Sequence, residues 1–258
     1  MAEPLLSCEA LTKAYGGVQA CAGVALALEA GELRAVIGPN GAGKTTLTGL
    51  LAGELAPDAG RIRFAGREIQ GLDAAARARA GIGRSYQITS LFPRFTVLEN
   101  ARLAVQVAGG HSFGFLRPAG RDPALARRAA ALLEEVGLAP RAQVPVGDLA
   151  HGEQRQLEIA LALAGRPRLL LLDEPTAGMA PEESRAMVAL LQSLKGRVTM
   201  LLVEHDMDAV FALADRITVM VGGRILATGD PEQIRGNAEV QAAYLGSEAP
   251  DAPETGRC

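Results

Sequence analysis

The chain has 258 residues, of which 48% are hydrophobic and 21% charged, and its net charge is −3. That length and balance suit one large packed domain, or one domain with a sizeable insert. The small net charge gives no electrostatic ground for binding nucleic acid, and no apolar run reaches the length of a membrane-spanning helix.

Other features narrow the class. The run from Ile159 to Leu172 is broken by Arg166, Pro167 and Arg168. The first residues carry Glu3 and Glu9 and no basic segment, so a signal peptide is not expected. Cys8, Cys21 and Cys258 have neither metal-like nor redox spacing, and are expected to be reduced thiols in a cytosolic protein. Lysine is confined to Lys13, Lys44 and Lys195 among 26 basic residues. A lysine kept amid arginines suggests a need for a compact point charge. That reading is applied to Lys44, and Lys13 and Lys195 are expected to be solvated surface.

In chain order, the first 36 residues alternate apolar and polar in short runs ending at glycines or charges, as in an antiparallel edge sheet. Leu33–Gly38 reads as a short buried strand. The stretch after it has Leu47, Leu50 and Leu51 on one helical face. "GRIRFAG" reads as another strand. From about Ile88 to Gly165 the texture turns helical, around a Gly- and Pro-rich loop. The β/α rhythm then resumes. "RLLLLDEP" is a strand, and a helix starts at Pro181. "VTMLLVEH" is a strand, "MDAVFALAD" a helix, and "RITVMVGGRILATG" a hairpin. Strands alternating with helices imply a mainly parallel sheet covered on both faces. The polar tail after Gly246 is expected to be disordered.

"GPNGAGKT", Gly38 to Thr45, matches G-x-x-x-x-G-K-[ST] between a strand and a helix. Its glycines let backbone N–H groups face a phosphate chain. Lys44 can reach the β- and γ-phosphates, and the Thr45 hydroxyl suits Mg²⁺, which prefers oxygen ligands. "LLLLDE", Leu169 to Glu174, ends an apolar strand in two carboxylates, where ligands bind in open α/β sheets. Asp173 is expected to act on Mg²⁺ and Glu174 to polarise an attacking water.

Taken together and in this order, Tyr15, Gly38–Thr45, Gln87, Leu149–Glu153, Asp173–Glu174 and His205 resemble the ATP-binding-cassette ATPases, over about Leu5 to Gly246. The resemblance implies a P-loop NTPase core of α/β class with a mainly parallel sheet, an N-terminal antiparallel β subdomain and a helical insert subdomain. It implies one ATP-binding domain over residues 5–246. Residues 5–87 and 166–246 would form the nucleotide-binding core and 88–165 the insert, with 247–258 a tail. Tyr15 matches the aromatic that stacks on adenine. Gly38, Pro39, Asn40, Gly41, Ala42, Gly43, Lys44, Thr45 and Thr46 match the phosphate loop. Gln87 matches the glutamine that links Mg²⁺ and the attacking water to a membrane partner. Asp173 matches the metal acid, Glu174 the hydrolytic acid, and His205 the histidine that contacts the γ-phosphate. Leu149, Ala150, His151, Gly152 and Glu153 fall where the family has its signature loop, which caps ATP held by a partner cassette. Ala150 removes a hydroxyl there, and His151 reads equally as an added donor or as surface. Ala180 stands where the family has a polar residue.

Within the family, "LAHGEQRQLEIA", "VEHDMDAV" and "GDPEQIRGNAEVQAAYLG" look like the ATP-binding subunit of branched-chain amino-acid importers. Urea importers and a lipopolysaccharide exporter resemble the same branch, and a soluble ATPase switch is the alternative of another class. The expected partners are a second ATP-binding subunit, transmembrane permease subunits and, indirectly, a solute-binding protein. The expected cofactors are ATP and Mg²⁺, and the expected place is the inner face of the plasma membrane. Phe92, Phe95, Phe113 and Phe115 follow Gln87 closely. Phe92 and Phe95 read as a docking surface for the permease, the other two as packing within the insert.

Overall fold

The computed structural model describes residues 3–85, 91–109 and 122–245. Two sheets organise them. The first is antiparallel and holds β1 (Leu6–Tyr15), β2 (Val18–Leu28), β4 (Ala59–Phe64) and β5 (Arg67–Glu68), in the order β2-β1-β4-β5. The second holds β3 (Leu33–Ile37), β6 (Ile82–Arg84), β7 (Leu169–Asp173), β8 (Thr199–Val203), β9 (Arg216–Val221) and β10 (Arg224–Gly229), in the order β10-β9-β3-β8-β7-β6. All its pairings are parallel except β9–β10, the hairpin at one edge.

The leucine run in β7 has a simple cause. Leu169 to Leu172 are all fully buried, because both faces of the sheet are covered. Leu170 and Leu172 pack into one core with Leu202, Ala35 and Ile37. Leu169 and Leu171 pack into a second core with Leu201, Val203 and Val36. Helix α1 (Lys44–Ala52) and the antiparallel sheet supply most of the rest of that second core. Helices α6 (Pro181–Leu194) and α7 (Met207–Leu213) lie over the first. The short strand β6 is not apparent from the sequence. Its three residues follow α2 (Ala74–Ala80) directly, and only its pairing to β7 defines it.

The region from 91 to 165 is helical where it is described. It contains α3 (Val97–Ala108), α4 (Pro123–Glu135) and α5 (His151–Leu163). A reciprocal cap starts α3: Glu99 N–H donates to Thr96 Oγ1 at 3.2 Å, and Thr96 N–H donates to Glu99 Oε2 at 2.8 Å. Val97, Ala101, Leu133 and Leu157 join the three helices into the first core. The chain then closes with α8 (Pro231–Arg235) and α9 (Ala238–Leu245). The tail beyond, like Cys258, lies outside the described residues. Cys8 and Cys21 are buried free thiols, and burial pushes them up to about 12 and about 11 respectively, which suits unreactive core groups. Lys13 and Lys195 are half-buried rather than solvated, each 2.8 Å from an aspartate, Asp58 and Asp215.

One buried cation ties α2 to the end of α1 and to the loop after β5. Arg77, in α2, is 1% exposed, and among the described residues it donates only to backbone carbonyls. It donates to Leu50 and Leu51 at the C-terminal end of α1, and to Gln70 and Leu72 in the loop after β5. Carbonyls at a helix C-terminus are unpaired within the helix and carry partial negative charge, so a guanidinium fork fits them. Arg77→Ala is expected to lower unfolding free energy by about 3 kcal/mol or more, because it strands several buried acceptors. Urea denaturation checks this, and Arg77→Lys should fall between the two.

Candidate functional site

The site lies where three parallel strands end together. Val36 of β3, Val203 of β8 and Asp173 of β7 stand in one row of the sheet. The chain leaves β3 into Gly38–Thr45, β7 into Glu174, and β8 into Glu204 and His205. Tertiary pairing thus brings together groups far apart in sequence.

The loop after β3 can be built only with glycine at its tightest points. Gly38 has φ +151° and Gly43 has φ +98°. A Cβ at Gly43 would stand 2.0 Å from the Ala20 carbonyl oxygen, and one at Gly38 would stand 2.1 Å from that of Met220. The loop is pinned from behind, since Gly223 N–H donates to the Ala42 carbonyl at 3.0 Å. Lys44 begins α1 and is buried. Its Nζ donates to the Gly38 carbonyl at 2.6 Å and to the Pro39 carbonyl at 3.0 Å. Burial lowers its pKa, and Glu174 and Asp173 pull the other way. Thr45 is exposed. A cavity of about 280 Å³ lies over the loop, lined by Tyr15, Ala20, Asn40, Gly41, Ala42, Gly43, Lys44, Thr45, Thr46, Glu174 and His205.

The acid pair differs in environment. Asp173 is 2% exposed. Its Oδ2 lies 3.4 Å from the Arg84 guanidinium, which also pairs with Glu54. Its Oδ1 is buried and has no hydrogen-bond partner among the described residues. Burial pushes its carboxyl above the usual range, and Arg84 opposes the shift. A buried carboxylate oxygen without a donor fits a cation ligand, and with the exposed Thr45 hydroxyl it offers Mg²⁺ the hard oxygen atoms it takes. Glu174 adopts φ +48°, unusual for a residue with a side chain. Its N–H donates to the Val203 carbonyl at 2.8 Å, and its Oε1 lies 2.6 Å from His205 Nε2. Such strain concentrates where geometry matters more than local comfort.

Tyr15 is half exposed, with the Lys13 ammonium 5.8 Å from its ring centre. An open aromatic face at a phosphate cradle suits a purine ring. Leu149–Glu153 do not line the cavity. Their helix, α5, starts at His151 with Ala150 as its cap. Neither Ala150 nor Ala180, the cap of α6, has a side-chain oxygen to offer. In each helix a glutamate in the first turn reaches back to the cap N–H at 3.0 Å, Glu153 to Ala150 and Glu183 to Ala180. Glu183 also takes the Gly152 N–H, at 3.1 Å. The Ala180 and Gly152 donors lower the Glu183 pKa. His151 Nε2 lies 3.4 Å from the Ala177 carbonyl of its own chain.

Gln87, Phe113 and Phe115 lie outside the described residues. Phe92 and Phe95 are 55% and 43% exposed, with stacked rings 5.4 Å apart. The buried Asn100 fixes Phe92 by bonding both its N–H, at 2.9 Å, and its carbonyl, at 3.2 Å. Sequence reasoning missed Arg84, Glu183 and Glu204. Glu183 had a visible signal, an acid in the first turn after Pro181, and Arg84 had none.

A glycine cradle after one parallel strand and an acid pair after another define a nucleoside-triphosphatase of the P-loop class. Residues 21–177 match the ABC transporter family model, and the chain belongs to that family. Residues 224–250 match a second model, described as branched-chain amino acid ATP-binding cassette transporter. The chain is 44% identical to the high-affinity branched-chain amino acid transport ATP-binding protein BraF of Pseudomonas aeruginosa, covering 95% of this chain and 99% of that one. It is 41% identical to the corresponding protein LivG of Escherichia coli, with the same coverage. Among solved structures, the ADP conformation of MJ1267, an ATP-binding cassette of an ABC transporter, is 28% identical with a TM-score of 0.84, covering 95% of this chain and all of that one. The cbiO1 protein of Clostridium perfringens, part of the transporter complex cbiONQ, is 27% identical with a TM-score of 0.79, covering 96% and 97%. The chain is thus an ABC-type ATPase, and among its described residues no helix is long and apolar enough to cross a membrane.

Gly43→Ala is expected to abolish measurable ATP binding, because its methyl would strike the backbone of Ala20. Gly41→Ala, with nothing within 4 Å of its new methyl, is expected to weaken binding only about tenfold, the size of ordinary left-handed backbone strain. Titration with a fluorescent ATP analogue checks both.

Proposed function

We propose that this chain hydrolyses ATP to drive import of branched-chain or other hydrophobic amino acids. It would act as one of two cassettes on transmembrane permease subunits, at the inner face of the plasma membrane, and a solute-binding protein would deliver the amino acid. The observation that carries the reading is the pairing of the Lys44 cradle with the Asp173–Glu174 strand end in a chain so similar to BraF and LivG.

The roles follow from the chemistry of each group. Backbone N–H groups from Gly38 to Thr45 bind the phosphates, and Lys44 swings from its loop carbonyls to the γ-phosphate. Thr45, Asp173 and Gln87 hold Mg²⁺, which when bound supplies charge stabilisation to the phosphate oxygens. Glu174 orients and deprotonates the attacking water, and His205, bonded to Glu174, faces the γ-phosphate. Tyr15 stacks on the adenine. Leu149–Glu153 present the start of α5 to ATP on the partner cassette. Phe92, its backbone fixed by Asn100, and Phe95, stacked on it, dock a permease subunit. Residues 88–165 form the insert subdomain that carries both surfaces, within a single domain over 5–246.

Glu174→Gln is expected to retain ATP affinity and lose turnover by about 10²–10⁴-fold, the usual worth of a general base. Lys44→Ala is expected to lose affinity itself. Nucleotide titration with steady-state phosphate release separates the two, and normal turnover in Glu174→Gln would remove that residue from the hydrolytic role.

A further inference from the structure

Glu204 directly follows β8 and precedes His205. It is 3% exposed, and the partners of its carboxylate are neutral donors. Oε1 accepts the Thr176 N–H at 2.9 Å and the Thr176 hydroxyl at 2.5 Å. Oε2 accepts the His205 N–H at 2.9 Å and the Asp206 N–H at 3.5 Å. One buried group therefore ties the loop after β7 to the loop after β8.

Those two loops carry the Glu174–His205 pair. Glu174 has φ +48°, a conformation that relaxes unless both its flanks are held. The upstream flank is held by the Glu174 N–H on the Val203 carbonyl. The downstream flank is held at Thr176 by Glu204. We propose that Glu204 is a positioning residue for ATP hydrolysis, setting the separation of Glu174 and His205 by clamping Thr176 and the His205 backbone at once. The role needs a carboxylate. All four partners donate, and an amide offers one accepting oxygen while turning its own N–H groups toward donors. Glu204 does not line the cavity over the phosphate loop. It lines a separate cavity of about 610 Å³ beside α6 and α7, whereas Glu174 lines the cavity over the phosphate loop. His205 lines both. Loss of the clamp should therefore disturb the chemical step and spare nucleotide binding.

The inference rests on the hydrolytic reading of Glu174 given above. The test uses the full chain, measuring kcat and KM for ATP, affinity for a fluorescent ATP analogue, and thermal melting. Glu204→Gln is expected to lower kcat about tenfold or more, the scale of a misplaced reacting group, with KM and nucleotide affinity within about twofold of the parent. Thr176→Val keeps the backbone bond and loses only the hydroxyl, so its kcat should fall about threefold in the same pattern. It also serves as the probe if the glutamine variant melts early. Parental kcat in both variants would overturn the proposal. So would kcat and nucleotide affinity falling together, which would mark Glu204 as general packing. If Glu174→Gln itself turns over normally, the hydrolytic reading has failed. If Glu174→Gln is inactive while both clamp variants are normal, only the clamp has failed.

Discussion

The parallel alignment of β3, β8 and β7 is the constraint on which everything else depends. Val36, Val203 and Asp173 share a row, so three chain segments leave the sheet along one edge. A one-residue slip of β7 would send its leucines to the wrong cores and turn Asp173 away from the phosphate loop. The two-sided burial of Leu169 to Leu172 opposes that slip. The greasy strand is therefore the device that places the acids, and the chemistry inherits its precision from packing. The left-handed turn at Glu174 is held by its N–H on the Val203 carbonyl at the end of the neighbouring strand.

The start of α5 shows the opposite economy. With alanine at the caps of both α5 and α6, side-chain capping worth about 1 kcal/mol per helix is absent. Glu153 and Glu183 compensate from within their own helices, and Glu183 also takes the Gly152 N–H. The first turns of the two helices are thereby joined through one carboxylate. A methyl at Gly152 would meet Glu183 at 3.0 Å, so glycine is what lets the helices approach. In the dimeric reading this joined pair of helix starts would face the neighbour's nucleotide.

How much of this was legible in the sequence depended on the range of each interaction. The phosphate loop, the strand ending at Asp173 and the helix from Pro181 were readable because their signals are local: glycine spacing, an apolar run, a proline at a helix start. The mixed sheet arrangement followed from the β/α rhythm. Strand β6 was not readable, because three residues carry no periodicity and only β7 makes them a strand. Arg77 and Arg84 looked like any of the chain's arginines, yet one is buried on carbonyls and the other stands against Asp173. Glu204 is similar. An acid beside a histidine is unremarkable until the fold buries it between two loops. The role of His205 came from family resemblance, and its 2.6 Å approach to Glu174 is a tertiary fact that no spacing encodes.

The central claim is that the cradle on one copy is completed by Leu149–Glu153 of another. Sedimentation velocity on the Glu174→Gln chain addresses it most directly, since that variant should hold ATP without consuming it. A monomer without nucleotide or with ADP, converting to a dimer with ATP and Mg²⁺, is the expected result. A species that remains monomeric while demonstrably saturated with ATP and Mg²⁺ would contradict it.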